Sequence, residues 1–327
     1  GQGALQVERL PAAALRRDEG LLRDVVGLLV SAHYQTRPSD LRRLLDDPGL
    51  SLWVARHGRD LCGVVLGAVE GGFDDAIAAL VLAGRRRPHG HLLAQSLAVH
   101  AGFDQALSQR TLRVVRIAVH PAQQRRGIGR RLLAAARAWA VSERLDGLGC
   151  AFGSASDLLA FWTAQGLEPV RLGLRIDPAS AAHALMLLDG LSAGGRSLAT
   201  AAVSRFRRDL PWSLGDEFSD LPPELAIALL RGRDCVDLAL DTADLTGLAR
   251  IAAGARQPAT ATPVIWRWLV RALSDGAAGL EPLVARYLQH WPMRRVCETY
   301  GIAGGAALDQ QLRGRLADAE NASRPNG

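Results

Sequence analysis

The apolar positions of the chain follow two different rhythms. Up to about Leu188, short alternating or β-branched runs are interleaved with stretches of helical period, whereas beyond Leu191 the helical period dominates. Leu5 to Leu10 reads as a strand. Asp18 to Tyr34 sets Leu21, Leu22, Val25, Val26, Leu28, Leu29 and Ala32 on one helical face. Ser39 and Asp40, after Pro38, open a short helix over Leu41 to Leu45, and Asp46-Asp47-Pro48-Gly49 stops it. Ser51 to Arg56 and Leu61 to Val69 form a hairpin around His57-Gly58-Arg59-Asp60. Next come strand Leu112 to Val119, helix Gly127 to Val141, strand Leu148 to Phe152 and helix Asp157 to Gln165, closed by Gly166. Strands Val170 to Arg175 and His183 to Leu188 complete a β-αα-ββ-β-α-β-α-ββ order, an α/β class.

Two regions stand outside that order. Residues from about Gly71 to Arg110 form an insertion with helical stretches at Asp74 to Leu82 and Ala94 to Leu107, around Arg85-Arg86-Arg87-Pro88-His89-Gly90-His91. An insertion of this length in a compact domain points to function, and its low polarity argues against disorder. Ser192-Ala193-Gly194-Gly195-Arg196 reads as a hinge. It divides residues 1–191 from a mostly helical C-terminal domain, 192–327. That domain has helices over Arg196 to Leu210, Pro222 to Arg231, Asp241 to Ala252, Pro263 to Asp275, Leu280 to Trp291 and Met293 to Tyr300. Asn321 to Gly327 reads as disordered.

The candidate chemistry begins where the run Val114 to Val119 breaks at His120-Pro121 and enters a loop carrying Gly127 and Gly129. The first N–H groups of a helix have no internal partner, and the dipole favours negative charge there. Glycines let a phosphate approach such a backbone. Strand, His-Pro break and the spacing Gln124-x-x-Gly127-x-Gly129 resemble motif A of the GNAT acetyltransferases, which cradles the pyrophosphate of acetyl-CoA. A Rossmann loop would need a third glycine and a Walker A loop a lysine. This chain has no lysine.

Composition narrows the setting. With 327 residues, two domains are expected. No apolar run reaches transmembrane length, and no signal peptide is visible. The chain begins without Met, as an excised part of a longer polypeptide would. Cys62, Cys150, Cys235 and Cys297 are scattered and the eight histidines form no H-x-x-x-H cluster, so no metal site and a reducing, cytoplasmic setting are expected. The formal charge of +6 is uneven. Charges roughly cancel between Thr200 and Tyr300, while Arg85 to Arg87 and the Arg110 to Arg137 region are positive, around the candidate phosphate loop. Some of that charge serves cofactor phosphates and the remainder suits a polynucleotide.

Several stretches point to one family. Ser31-Ala32-His33-Tyr34-Gln35-Thr36-Arg37-Pro38-Ser39-Asp40-Leu41-Arg42, the segment Arg86 to Leu97, and Phe152-Gly153 leading to Phe161-Trp162 resemble the tRNA(Met) cytidine acetyltransferase family. The resemblance covers nearly the whole chain but only the C-terminal half of those proteins. Their N-terminal, ATP-driven, helicase-like module has no match here. It implies a GNAT fold followed by a helical, tRNA-binding domain. The implied activity is acetyl-CoA-dependent acetylation of the N4 amine of the wobble cytidine of elongator tRNA(Met), giving N4-acetylcytidine. A helicase-like module in cis or in trans would be a partner. The family's acetyl-CoA contacts fall on Ile117, Ala118 and Val119, on Gln124, Arg125, Arg126, Gly127, Ile128, Gly129 and Arg130, and on Asp157 in place of a glutamate. A family arginine position seven residues beyond holds Ala164.

Cytidine N4 is a poor nucleophile, so acetylation needs orientation, proton removal and stabilisation of the thioester oxyanion. His33 is the candidate base, because histidine titrates near neutrality. Tyr34 is a candidate to position the base or to donate to the leaving thiolate, and the Val119 N–H to hold the oxyanion. His120, beside Pro121, reads as structural. Arg37, Arg42, Arg43, Arg85, Arg86, Arg87 and His89 are candidate RNA phosphate contacts. Trp266, Trp268 and Trp291 read as core. Two alternatives remain open: a GNAT enzyme acting on a protein or small-molecule amine, and a non-catalytic tRNA-binding remnant.

Overall fold

The computed structural model describes residues 4–32, 49–178, 180–232 and 238–323. They form two compact units, Gly1–Val203 and Ser204–Gly327. The strands of the first are β1 (Leu5–Leu10), β2 (Leu50–His57), β3 (Asp60–Gly71), β4 (Arg110–Val119), β5 (Gly147–Gly153), β6 (Glu168–Asp177) and β7 (Ala182–Gly190). Its helices are α1 (Ala12–Arg17), α2 (Glu19–Ala32), α3 (Asp75–Leu82), α4 (Leu92–Gln95), α5 (Ile128–Ser142), α6 (Ser156–Thr163) and α7 (Ala193–Ser213), the last running on into the second unit. One sheet holds the strands in the order β1-β2-β3-β4-β5-β7-β6. Every pair is antiparallel except β4–β5, which is parallel. A parallel pair needs a crossover connection, and α5 is that crossover.

The alternation of β3 assigns the layers. Val64 and Leu66 pack with Val25, Leu28 and Leu29 of α2. Glu70, of the same parity, meets the insertion, where the Leu93 N–H donates to its Oε2 at 2.7 Å. Gly63, of the other parity, lies against Ile128 and Leu132 of α5. Thus α2 and the insertion share one face of the sheet, and α5 covers the other.

Within the insertion, α3 is capped by Asp74, whose Oδ1 accepts the Ile77 N–H at 2.8 Å. The helix expected over Ala94 to Leu107 is broken. Its first turn α4 passes into a π turn, Ser96–His100, and Gly102 at φ 69° precedes a 3-10 turn, Asp104–Ala106. Leu93, Leu97, Phe103 and Ala106 nevertheless share a core with Val170, Met186 and Leu188 of the sheet and with Leu198, Ala199, Ala202 and Val203 of α7.

The expected hinge, Ser192 to Arg196, is the start of α7. Ser192 Oγ accepts the Gly195 N–H at 3.0 Å and donates to Asp146 Oδ1 at 2.6 Å. Asp146 also accepts the Arg110 N–H through Oδ2 at 2.9 Å, so one carboxylate ties the openings of β4, β5 and α7.

The second unit is helical, with segments Pro223–Leu230, Thr242–Ala252, Thr262–Ser274, Glu281–Leu283 leading into a π turn at Val284–Leu288, and Met293–Tyr300. A final helix, Gly305–Ser323, was not expected, and it takes in Asn321 to Ser323, expected as disordered. Buried Gln289 stitches the unit: its Nε2 donates to the carbonyls of Phe218, Ser219 and Leu221 at 3.3, 3.3 and 2.6 Å. No helix among the described residues is long and apolar enough to cross a membrane.

Candidate functional site

β4 and β5 pair only from Thr111↔Gly147 to Val114↔Cys150. Beyond those four pairs β4 continues to Val119 and β5 to Gly153, without pairing to each other. The divergence coincides with a bulge. Leu66 and Gly67 of β3 oppose Arg116 and Val114, so Val115 is the extra residue of β4, and such a residue bends its strand. A gap therefore opens in the middle of the sheet.

The main chain of β4 borders that gap. His120 N–H donates to the Cys62 carbonyl of β3 at 2.9 Å. Successive N–H groups alternate sides along a strand, which directs those of Val119 and Ile117 towards the β5 side. Ala118 has its side chain in the α2 core. Ile117, Ala118 and Val119 thus border the gap along the unpaired stretch of β4.

At the end of β4 the chain enters the glycine loop through a 3-10 turn, Pro121–Gln123. His120 Nδ1 accepts the Ala122 N–H at 3.3 Å, so its ring caps that turn, in accord with the structural role read from the sequence. Gln124 folds back, its Nε2 donating to the Val119 carbonyl at 3.3 Å. Arg125 (φ 59°) and Gly127 (φ 78°) both adopt the left-handed conformation. Gly127 is the N-cap of α5 and offers no side-chain cap. Successive main-chain N–H groups in such a turn form an anion-binding concavity ahead of a helix N-terminus. A Cβ on Gly127 would have no atom within 4 Å, which leaves the cradle open.

The loop cations divide by role. Arg131 reaches back to the Leu5 carbonyl at 2.8 Å, and Arg126 donates to Gln123 Oε1 at 3.2 Å. Arg125 and Arg130 are exposed and have no hydrogen bond or ion pair among the described residues. They are the charges available to an anion. Buried Ile128 anchors the helix start.

The far wall comes from α6. A Cβ on Gly129 would lie 3.3 Å from Phe161 Cζ and 3.7 Å from Ile117 Cδ1, so the missing side chain lets α5, α6 and β4 converge. Phe161 packs edge-on against Trp162, which stacks with Phe152 of β5 at 6.2 Å. Asp157 is exposed in the first turn of α6, its Oδ1 accepting the Leu158 N–H at 2.8 Å. Ala164 is the C-cap of that helix. The nearby guanidinium of Arg137 bonds the Gln165 carbonyl at 2.6 Å and pairs with Asp189. In the sequence Phe161 stands out only as part of the family resemblance. Its place one helical turn after Asp157, on the face towards Gly129, is the signal that makes it a wall of the site.

On the opposite face, the insertion separates anchors from exposed cations. His91 Nδ1 accepts the Gly71 N–H at 2.9 Å, and Gln95 Nε2 donates to the carbonyls of Pro88 and His91 at 2.7 and 3.0 Å. Arg85, Arg86, Arg87 and His89 are exposed. His33, Tyr34, Arg37, Arg42 and Arg43 lie outside the described residues.

Among the described residues no group of three or more His, Cys, Asp or Glu is placed to hold a metal. Cys62 and Cys150 are buried and unpaired, and burial pushes the Cys150 thiol far up. Trp268 and Trp291 are core, as expected. Trp266, expected as core, is only half-buried and packs at a tilt, 4.7 Å between ring centroids, on Trp212, which is 72% exposed.

Residues 24–143 match the family model described as GNAT acetyltransferase 2. The chain is 40% identical over 318 residues to the tRNA(Met) cytidine acetyltransferase TmcA of Nitrosococcus halophilus, covering 95% of this chain and 43% of that protein. It is 37% identical over 290 residues to its counterpart in Pectobacterium atrosepticum, covering 88% of this chain and 40% of that protein. A solved structure of FeeM, an N-acyl amino acid synthase from uncultured soil microbes, matches 61% of this chain and 97% of its own at 16% identity, with a TM-score of 0.40.

Proposed function

Since the chain belongs to the tRNA(Met) cytidine acetyltransferase family and spans about two fifths of the length of the curated relatives it matches, we propose that it transfers an acetyl group from acetyl-CoA to a tRNA cytidine. The acceptor is the N4 amine of the wobble cytidine of elongator tRNA(Met), and the product is N4-acetylcytidine.

One observation carries this reading: the pairing of β4 and β5 stops at Val114 and Cys150, and the freed stretch of β4 leads into an open left-handed loop at the start of α5. Main-chain groups of Ile117 to Val119 would pair with the pantetheine amides as an added strand does. The loop Gln124 to Arg130 would take the pyrophosphate, with Arg125 and Arg130 as its counter-charges and Asp157 at the edge. Acetyl-CoA supplies the activated acetyl group. The chain's part is to hold the carbonyl beside the Val119 N–H, to present the amine and to remove its proton. His33 is the proposed base and Tyr34 the donor to the leaving thiolate.

RNA is proposed to approach from the face shared by α2 and the insertion, where Arg85, Arg86, Arg87 and His89 would meet phosphates; Arg37, Arg42 and Arg43 are proposed as further phosphate contacts. The target base must be unstacked to reach the acyl carbon, as in other reactions on bases. A helicase-like module, in cis or in trans, is the proposed partner that presents the loop and uses ATP.

The test is incubation of the chain with radiolabelled acetyl-CoA and bulk tRNA, with and without ATP, followed by digestion to nucleosides. Labelled acetylcytidine is expected. Label in protein or small amines, with none in RNA, overturns the proposal in favour of another acceptor. Failure to bind acetyl-CoA by calorimetry would mark a tRNA-binding remnant, the reading that Ala164 favours.

A further inference from the structure

Arg171 lies on the edge strand β6 beside a bulge. Pro169 and Arg171 oppose the consecutive residues Leu187 and Met186, so Val170 is extra. Val170 is buried in the core shared with Leu93 and Leu97 of the insertion, and a bulge re-aims the side chain next to it. His100 closes the π turn of that same insertion. Arg171 stands opposite Met186, which lies in that core, so it faces the insertion; Gln95 Nε2 holds the Pro88 carbonyl, which keeps Arg87 beside the turn that leads to His100. The His100 imidazole is held below its ordinary value by burial first, and then by Arg171 and Arg87. Arg171 is half-buried, and burial also lowers its own value. Among the described residues neither Arg171 nor Arg87 has a hydrogen bond or an ion pair.

This arrangement is unfavourable by itself. A half-buried guanidinium without a carboxylate loses hydration with nothing in return. A second guanidinium on the same side adds repulsion. One anion would relieve both costs, and the three side chains offer it planar guanidinium and ring N–H donors.

We propose that Arg87, His100 and Arg171 form a phosphate-binding site that grips the RNA backbone on the insertion side of the sheet, separate from the glycine loop after β4. The RNA identity of the ligand rests on the proposed function. The cation cluster stands without it, and the shared chemistry is a phosphate group. The site adds two residues, His100 and Arg171, that the run Arg85 to His89 does not contain.

The experiment measures binding of an unmodified tRNA transcript to the 327-residue chain across a salt series, alongside Arg171→Gln and Arg87→Gln. Each variant is expected to weaken binding about threefold to tenfold and to flatten the salt slope by roughly one phosphate contact, leaving acetyl-CoA affinity unchanged. Arg87 is exposed, so its variant keeps the test readable should Arg171→Gln destabilise the sheet. Wild-type affinity and slope in both variants overturn the proposal. A parallel loss of acetyl-CoA affinity also overturns it, assigning the cluster to cofactor phosphates. If the wild-type chain binds no tRNA, the functional reading fails, and titration of the His100 ring resonance with inorganic phosphate decides the anion site. A rise in its apparent pKa that Arg171→Gln abolishes supports the site, and no response removes it.

Discussion

Gly129 and Phe161 touch through an absence: a Cβ on the glycine would stand 3.3 Å from Cζ of the ring and 3.4 Å from Cε2. Alanine there requires the ring to yield by a few tenths of an ångström, while valine requires it to leave. Gly129→Val is therefore expected to cost about 1–3 kcal/mol as an overpacked contact and to lower acetyl-CoA affinity at least about tenfold. Gly129→Ala should retain most of both. Calorimetric titration and urea denaturation of the two variants check this. Equal affinity for both would disconnect the contact from the ligand.

Gly127 tests the loop differently. Its φ of 78° disfavours any side chain, although nothing stands within 4 Å of the missing Cβ. Gly127→Ala should cost about 1–2 kcal/mol through conformation alone, and Gly127→Asn less, because asparagine tolerates this region. Denaturation midpoints rank the three proteins. An alanine variant as stable as the parent would mean that the loop relaxes.

Glu70 is fully buried, pairs with Arg113 and accepts the Leu93 N–H. It thereby couples β3, β4 and the insertion. Glu70→Ala strands a guanidinium and an N–H, and a loss of about 3–5 kcal/mol follows. Glu70→Gln keeps an acceptor for Leu93 and should lose less. Amide exchange at Leu93, measured alongside stability, separates the two effects. If Leu93 stays protected in Glu70→Ala, the carboxylate does not hold the insertion.

Alkaline pH should loosen the helical unit. Burial first, and then Glu224 and Glu281, push the Tyr300 phenol up to about 12 from 10.0. Burial and then Asp309 do the same at Tyr287. The unfolded chain releases these protons from about pH 10 and the folded chain only near 12. Their stabilising contribution is thus complete below pH 10 and disappears as pH rises to 12. The Tyr300 hydroxyl has no hydrogen-bond partner among the described residues, so Tyr300→Phe should be close to neutral at pH 7 and should flatten the decline above pH 10. An unchanged slope in Tyr300→Phe would trace the decline elsewhere.

The strands of the first unit were legible because period two and period 3.6 alternate there, with Gly, Pro and Asp marking the joints. α1 was not, since Ala12–Arg17 is six residues without an apolar stripe. The Ala94 to Leu107 stretch reads as one helix because its apolar spacing survives the π turn at Ser96–His100, in which Leu97 packs against the sheet. Gly305–Ser323 buries Leu308, Leu312 and Leu316, a stripe one residue wide in a polar helix, and so escaped notice. The glycine loop after β4 could be read directly, because its conformation lies in the main chain and glycine spacing reports it. The wall at Phe161 and the cluster at Arg171 could not. Both arise from segments that meet only after folding.

A mixed sheet joined across its centre by four parallel pairs has a seam. Antiparallel pairs stitch each half firmly, and the fewest crosslinks fall on the β5 side of Ile117 to Val119. Amide hydrogens directed into that seam should be the first of the sheet to exchange with solvent, and a ligand laid along it would slow them by completing the weave. The weakest line in the architecture is therefore also the one that a guest molecule can mend, so occupancy and rigidity of this unit should rise together.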